Sequence, residues 1–135
     1  MSDNDLINKA VDALKFSYSP YSGFCVGAAL LCDGGKVYTG CNIENSAYSA
    51  TVCAERTAFA KAISEGEKRF SAIAVVGGKN AEITDFCPPC GVCRQVISEF
   101  CDGSFKVLLF NGKIIKEYPL SALLPLGFGR DNLCL

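Results

Sequence analysis

Cys53 stands two residues before Glu55 in "TVCAERTAFAK" (51–61), and Cys87, Cys90 and Cys93 follow one another in "CPPCGVC". Taken singly, such a cysteine is a small core residue, and a glutamate in a first helical turn is a favourable charge at a helix N-terminus. Together they suggest metal chemistry. Two close cysteines and a remote one are a common way to hold zinc, because tetrahedral coordination needs ligands converging from separate segments. The chain contains no histidine, so a zinc site here must use thiolates, carboxylates or water. A C-x-x-C pair alone decides nothing between a metal, a redox couple and chance.

Local geometry sorts the thiols. A residue before proline is pushed out of the helical region, so Cys87 and Pro88 are expected to be extended, with Cys87 about 9 Å from Cys90. Cys90 and Cys93 share the first turn of a helix as i, i+3 neighbours. Cys53 holds a similar first-turn place on an earlier helix. The expected ligands are Cys53, Cys90 and Cys93, each favoured as a thiolate by a positive helix end. Arg56 is placed to offset their excess negative charge by donating to sulfur, although a surface helix arginine has the same spacing. Three protein ligands leave a fourth position for water, as in catalytic rather than structural zinc sites. Glu55, beside the metal, is placed to take a proton from that water and deliver it to substrate. Two other readings stay open. Cys87 as a fourth ligand would close the site, and an iron–sulfur run would need a cysteine where Ile97 stands.

The elements that must position these residues follow the hydrophobic pattern. "DNDLINKAVDALKFSY" carries apolar residues at Leu6, Ile7, Ala10, Val11 and Leu14, one face of a helix with an aspartate or asparagine as N-cap. "FCVGAALLC" and "KVYTGCN" read as strands around the turn "DGGK". A helix is expected from about Thr51 to Gly66, then the buried strand "FSAIAVVGG", then a helix following the prolines of "CPPC". "KVLLF" and "IIKEY" flank an "NG" hairpin turn, and "LSALLPLGF" reads as a short final helix interrupted by Pro125. This α-β-β-α-β-α-β-β-α order implies one mixed sheet with helices on its faces.

Composition narrows the function classes. The 135 residues are expected to form a single domain, residues 1–135, with half of them hydrophobic and a net charge of -1. The longest basic run is Lys68-Arg69, which supplies no stripe for a phosphate backbone, so nucleic acid is not the expected partner. No signal peptide or membrane span is expected. Nine cysteines, an odd number, fit a reducing cytoplasm with metal-bound or buried thiols.

Cys53-Ala54-Glu55 and Pro89-Cys90-Gly91-Val92-Cys93 resemble the H-x-E…P-C-x-x-C signature of zinc deaminases, with cysteine in place of histidine. From the first helix to "LLPLGFG" the chain resembles the small, single-domain, homotetrameric cytidine deaminases. The resemblance implies an α/β fold, a three-layer α/β/α sandwich with a mixed sheet of about five strands. It implies zinc-dependent hydrolysis of cytidine and 2′-deoxycytidine to the uridines, with loss of ammonia, as in pyrimidine salvage. Glu55 would protonate N3 and then the departing amine. Phe24 would stack on the pyrimidine, Asn42 and Glu44 would bind a ribose hydroxyl, and Ala54 would offer its backbone N–H to the base. Tyr48 and Phe128 would approach a neighbouring subunit's site, and Gln95 would support the metal through Arg56. Cys25, Cys32, Cys41, Cys101 and Cys134 are expected to be buried small hydrophobes. Another aminopyrimidine nucleoside such as blasticidin S is the nearest rival substrate; a polynucleotide is disfavoured by the absent basic stripe.

Overall fold

In the computed structural model, which describes residues 1–133, the first element α1 spans Asp3–Leu14. Cys134 therefore lies outside the described residues. Leu6, Ile7, Ala10 and Leu14 are all buried, as the helical period requires. The N-cap is Ser2 rather than the expected aspartate or asparagine. Its position places Asp5 at N3, so Ser2 Oγ accepts from the Asp5 N–H and the Asp5 carboxylate accepts from the Ser2 N–H, each at 3.1 Å. That reciprocal pair satisfies two backbone donors that a helix leaves orphaned.

The strands are β1 (Phe24–Cys32), β2 (Val37–Cys41), β3 (Phe70–Lys79), β4 (Lys106–Phe110) and β5 (Ile115–Pro119). They form one 5-stranded sheet in the order β2-β1-β3-β4-β5. β3 and β4 are parallel, and the other pairings are antiparallel. The parallel step needs a crossover, supplied by α3 (Gly91–Phe100). β1 and β3 are continuous apolar runs because helices cover both of their faces. On one face, α1 packs its leucines and alanines against Ala29, Ala74, Val76 and Leu108. On the other, Ala58 and Phe59 of α2 (Ala54–Ser64) and Ile97 of α3 meet Leu30, Ile73, Val75 and Val107. The expected three-layer α/β/α sandwich is what forms.

Two glycines set how closely helices approach. A Cβ at Gly27 would lie 2.2 Å from Ala10 O of α1, and one at Gly40 would lie 2.5 Å from Ala54 O and 2.6 Å from Ala58 N of α2. Hydrogen at Gly40 lets the first turn of α2 rest on the backbone of β2. That helix starts at Ala54, not near Thr51. Val52 is held extended by an antiparallel bridge to Ile43, and a 3₁₀ turn at Tyr48–Ala50 precedes it. The last helix, α4, is the single turn Leu120–Leu123, ended ahead of Pro125.

Candidate active site: thiols at two helix N-termini

Cys53 is the N-cap of α2 (φ -74, ψ 155) and Cys90 the N-cap of α3 (φ -67, ψ 170). Both backbones are extended at the point where the helix begins, as N-cap residues are. Cys93 is the third residue of α3, and its N–H donates to Cys90 Sγ at 3.4 Å. The segment ahead of Cys90 is clamped by Arg94, whose Nε donates to Pro89 O at 2.7 Å and Nη1 to Leu123 O at 2.6 Å.

The sulfurs of Cys53, Cys90 and Cys93 lie within 4.8 Å of one another, with Cys53 Sγ 3.7 Å from Cys90 Sγ. Sulfurs about 2.3 Å from a tetrahedral zinc stand about 3.8 Å apart. The donor set and its spacing therefore fit that ion. Cys87 is not part of the cluster: its sulfur packs against β3, 2.8 Å from where a Gly77 Cβ would sit, and burial pushes the thiol up to about 12. The closed four-thiol site loses its fourth ligand. Ile97, at the iron–sulfur position, is buried in the core.

Charge is distributed unevenly over the cluster. The hydrogen bond from Cys93 draws the Cys53 thiol down to about 5, with Arg56 and Cys90 acting the same way and burial opposing. Cys93 keeps the proton of that pair, held up by its bond to Cys53 and then by burial. Arg56 Nη2 donates to Cys53 Sγ and to Thr51 O, each at 3.4 Å, while its buried Nε has no partner among the described residues. Glu55 is 3% exposed. Burial pushes its carboxyl up to about 7, and the Cys53 charge adds to this. A carboxyl that exchanges its proton near neutrality suits general acid–base work.

The remaining expected residues form a second group. Ala54 is fully buried as the first residue of α2, where an N–H has no intrahelical acceptor. Phe24 opens β1 and is 40% exposed. Asn42 Oδ1 accepts from the Val26 N–H at 2.9 Å and from Ser17 Oγ, and its Nδ2 donates to Phe24 O at 2.8 Å. Glu44 accepts from the Tyr21 and Ser22 N–H groups and from Ser22 Oγ. The Ile43–Val52 bridge ties this segment to the residue before Cys53. Tyr48 projects into solvent beside Tyr21, their ring centroids 6.5 Å apart.

A cavity of about 270 Å³ is lined by Tyr21, Ser22, Glu44, Asn45, Tyr48 and Thr51. A larger cavity, about 630 Å³, lies instead between the end of α3 and the C-terminal segment, where Phe128 is; the cluster thiols and Glu55 do not line it. Gln95 does not reach Arg56. Two residues beyond Cys93 is about 200° around a helix, and its Nε2 donates to Phe128 O at 2.8 Å. Sequence reasoning missed Arg94, Ser17 and Ser22, which read as a helix arginine and turn serines. Of the remaining described cysteines, Cys32 is buried, Cys25, Cys41 and Cys101 are half-buried, and all are free.

Residues 1–109 match the family model described as the cytidine and deoxycytidylate deaminase zinc-binding region. A cytidine deaminase of Sporosarcina psychrophila is 51% identical over 134 residues, covering 98% of this chain and 96% of the relative. Another, from Halalkalibacterium halodurans, is 47% identical and covers 95% of each. The crystal structure of cytidine deaminase from Burkholderia pseudomallei superposes with a TM-score of 0.87 at 42% identity, covering 95% of this chain and 100% of that one. No helix among the described residues is long and apolar enough to cross a membrane. With a three-thiol cluster of zinc spacing, a buried carboxyl one residue inside the same helix and these matches along its length, the chain belongs to the cytidine and deoxycytidylate deaminase family.

Proposed function

We propose that this protein hydrolyses cytidine and 2′-deoxycytidine to uridine and 2′-deoxyuridine, releasing ammonia, as a step of pyrimidine salvage. The observation that carries the reading is the burial of Glu55 one residue inside the helix whose N-cap is Cys53. Cys53, Cys90 and Cys93 would hold one zinc ion per chain. When bound, zinc supplies the Lewis acidity that makes water a nucleophile near neutral pH. Glu55 accepts the proton of the water that attacks C4 and passes it to N3, then takes the proton of the new C4 hydroxyl and delivers it to the amine as it leaves. Arg56 offsets thiolate charge that would otherwise weaken the Lewis acid. Phe24 stacks on the ring, the Ala54 N–H binds the base, and Asn42 and Glu44 bind a sugar hydroxyl.

The same reading takes residues 1–135 as one catalytic domain that assembles as a homotetramer. Tyr48 and Phe128, 80% and 62% exposed, support it, because each would be covered on reaching a neighbouring subunit's site. Free thiols support a cytoplasmic location. The test is an assay of purified protein with cytidine, following ammonia release and loss of the cytidine absorbance, with zinc measured on the same sample. Turnover with about one zinc per chain is the expected result. Zinc without turnover of cytidine, deoxycytidine or related aminopyrimidines overturns the reading.

A further inference from the structure

Segment 17–23, "SYSPYSG", runs beside residues 42–44. Tyr18 and Ile43 form a parallel bridge, in which the Tyr18 N–H donates to Asn42 O at 3.0 Å and the Glu44 N–H to Tyr18 O at 2.8 Å. That register sets Ser17 against Asn42. The segment then doubles back, with the Gly23 N–H donating to Ser19 O at 3.0 Å and Gly23 at φ 69, a conformation open to glycine at little cost. The turn returns Ser22 to Glu44.

A count of donors and acceptors shows what is left for a ligand. Asn42 Oδ1 already accepts two hydrogen bonds, from the Val26 N–H and Ser17 Oγ, and Nδ2 has given one hydrogen to Phe24 O. One N–H remains. The amide cannot be reversed, since Val26 offers a donor and Phe24 an acceptor. Glu44 Oε1 accepts from the Tyr21 N–H at 2.9 Å and the Ser22 N–H at 3.2 Å, and Oε2 accepts from Ser22 Oγ at 2.5 Å. One acceptor position remains on Oε2, and Glu44 lines the cavity of about 270 Å³. Ser22 Oγ also accepts the Phe24 N–H at 2.9 Å, so one hydroxyl ties Glu44 to the start of β1.

We propose that Ser22 is a positioning residue that locks Glu44 as a pure hydrogen-bond acceptor, so that Asn42 and Glu44 together admit only a group that both accepts and donates: a free sugar hydroxyl. The proposal rests on the nucleoside reading above and goes beyond it by naming what sets the polarity of the sugar contact. The Ser22 hydroxyl is the foremost influence holding the Glu44 carboxyl below the usual carboxylate range, which keeps it an anion. A phosphate ester at that oxygen has no proton to give and brings negative charge against Glu44. Every internal nucleotide of a polymer carries such an ester, so the same geometry selects monomers.

The test is steady-state kinetics of the zinc-loaded protein on cytidine, 2′-deoxycytidine and 2′,3′-dideoxycytidine, comparing the wild type with Ser22→Ala and Ser22→Thr. Loss of one hydrogen bond to a charged group is expected to raise KM for cytidine and 2′-deoxycytidine about tenfold, with kcat within about twofold. On dideoxycytidine, which lacks the 3′-hydroxyl that Glu44 would hold in the other two, kcat/KM stays within about twofold, and Ser22→Thr restores the other two substrates to within about threefold. An unchanged KM for cytidine in Ser22→Ala overturns the role, and so does an equal loss on dideoxycytidine. A wild type that turns over none of the three overturns the proposed activity, and this role with it.

Discussion

Gly40→Ala places a methyl group where α2 already touches β2. The new Cβ would sit 2.5 Å from Ala54 O, 2.6 Å from Ala58 N and 3.0 Å from Thr57 Cβ. The two nearest atoms are helix backbone, so no side chain can swing aside, and the first turn of α2 must lift by about 0.8 Å to restore ordinary contact. Overpacking of this kind costs about 1–3 kcal/mol, a fall in Tm of roughly 4–12 °C for a chain of this size. The lift acts at the helix end that carries Cys53, whose sulfur must stay near its 3.7 Å spacing from Cys90. Metal–ligand distances tolerate only about 0.2 Å, so zinc affinity is expected to fall about 10- to 100-fold, as when the support of a ligand is lost. Gly27→Ala is the comparison, because its Cβ would strike Ala10 O of α1 on the opposite face of the sheet. It should lower Tm at least as much and leave zinc affinity within about twofold. Thermal unfolding and competition against a chromophoric chelator measure the two effects separately. Wild-type zinc affinity in a destabilised Gly40→Ala, or equal zinc loss in Gly27→Ala, refutes the reasoning.

Glu55→Gln should keep zinc and fold while kcat falls about 10²- to 10⁴-fold, because the amide fills the same space and cannot carry the proton; near-normal turnover sinks the mechanism. Cys90→Ala should lose metal and activity together, measured as zinc per chain after dialysis, and a zinc-replete active variant removes Cys90 from the ligand set. Zinc affinity should fall as pH falls. Cys93 is held protonated, so binding must release its proton and affinity drops by at least about tenfold per pH unit. Cys53, drawn down to about 5, is already a thiolate at neutral pH and adds a further released proton only as the pH approaches that value. Chelator competition at several pH values tests this, and a flat profile contradicts it.

What could be read from the sequence was whatever repeats within one element. The period of Leu6, Ile7, Ala10 and Leu14 marks a helix, and the unbroken apolar run of β3 marks a strand covered on both faces. Cys90 and Cys93 lie within one helical turn, so their shared direction is a local property, as is the pairing of Cys53 with Glu55. Properties that depend on two distant segments were out of reach. Gly40 looks like any strand glycine until α2 lies on it, and Ser22 looks like a turn residue until Glu44 arrives from 22 positions away. The boundary of α2 moved for the same reason, because Val52 is claimed by Ile43. Gln95 donates to Phe128 O from 33 positions away, a contact that no local period announces.

The two halves of the thiol cluster reach the site by different routes: Cys53 follows β2, whereas Cys90 and Cys93 follow β3. An ion held between them therefore joins parts of the chain that meet only when the sheet is formed, whereas the unfolded chain offers it only the neighbouring thiols of residues 87–93. Free zinc at a thousand times its dissociation constant would add about 4 kcal/mol to the folded state. Zinc supply thus sets how much of the protein survives as well as how much of it is active. Without zinc the folded chain loses that contribution, so the apoprotein is expected to unfold and be proteolysed more readily than the loaded protein.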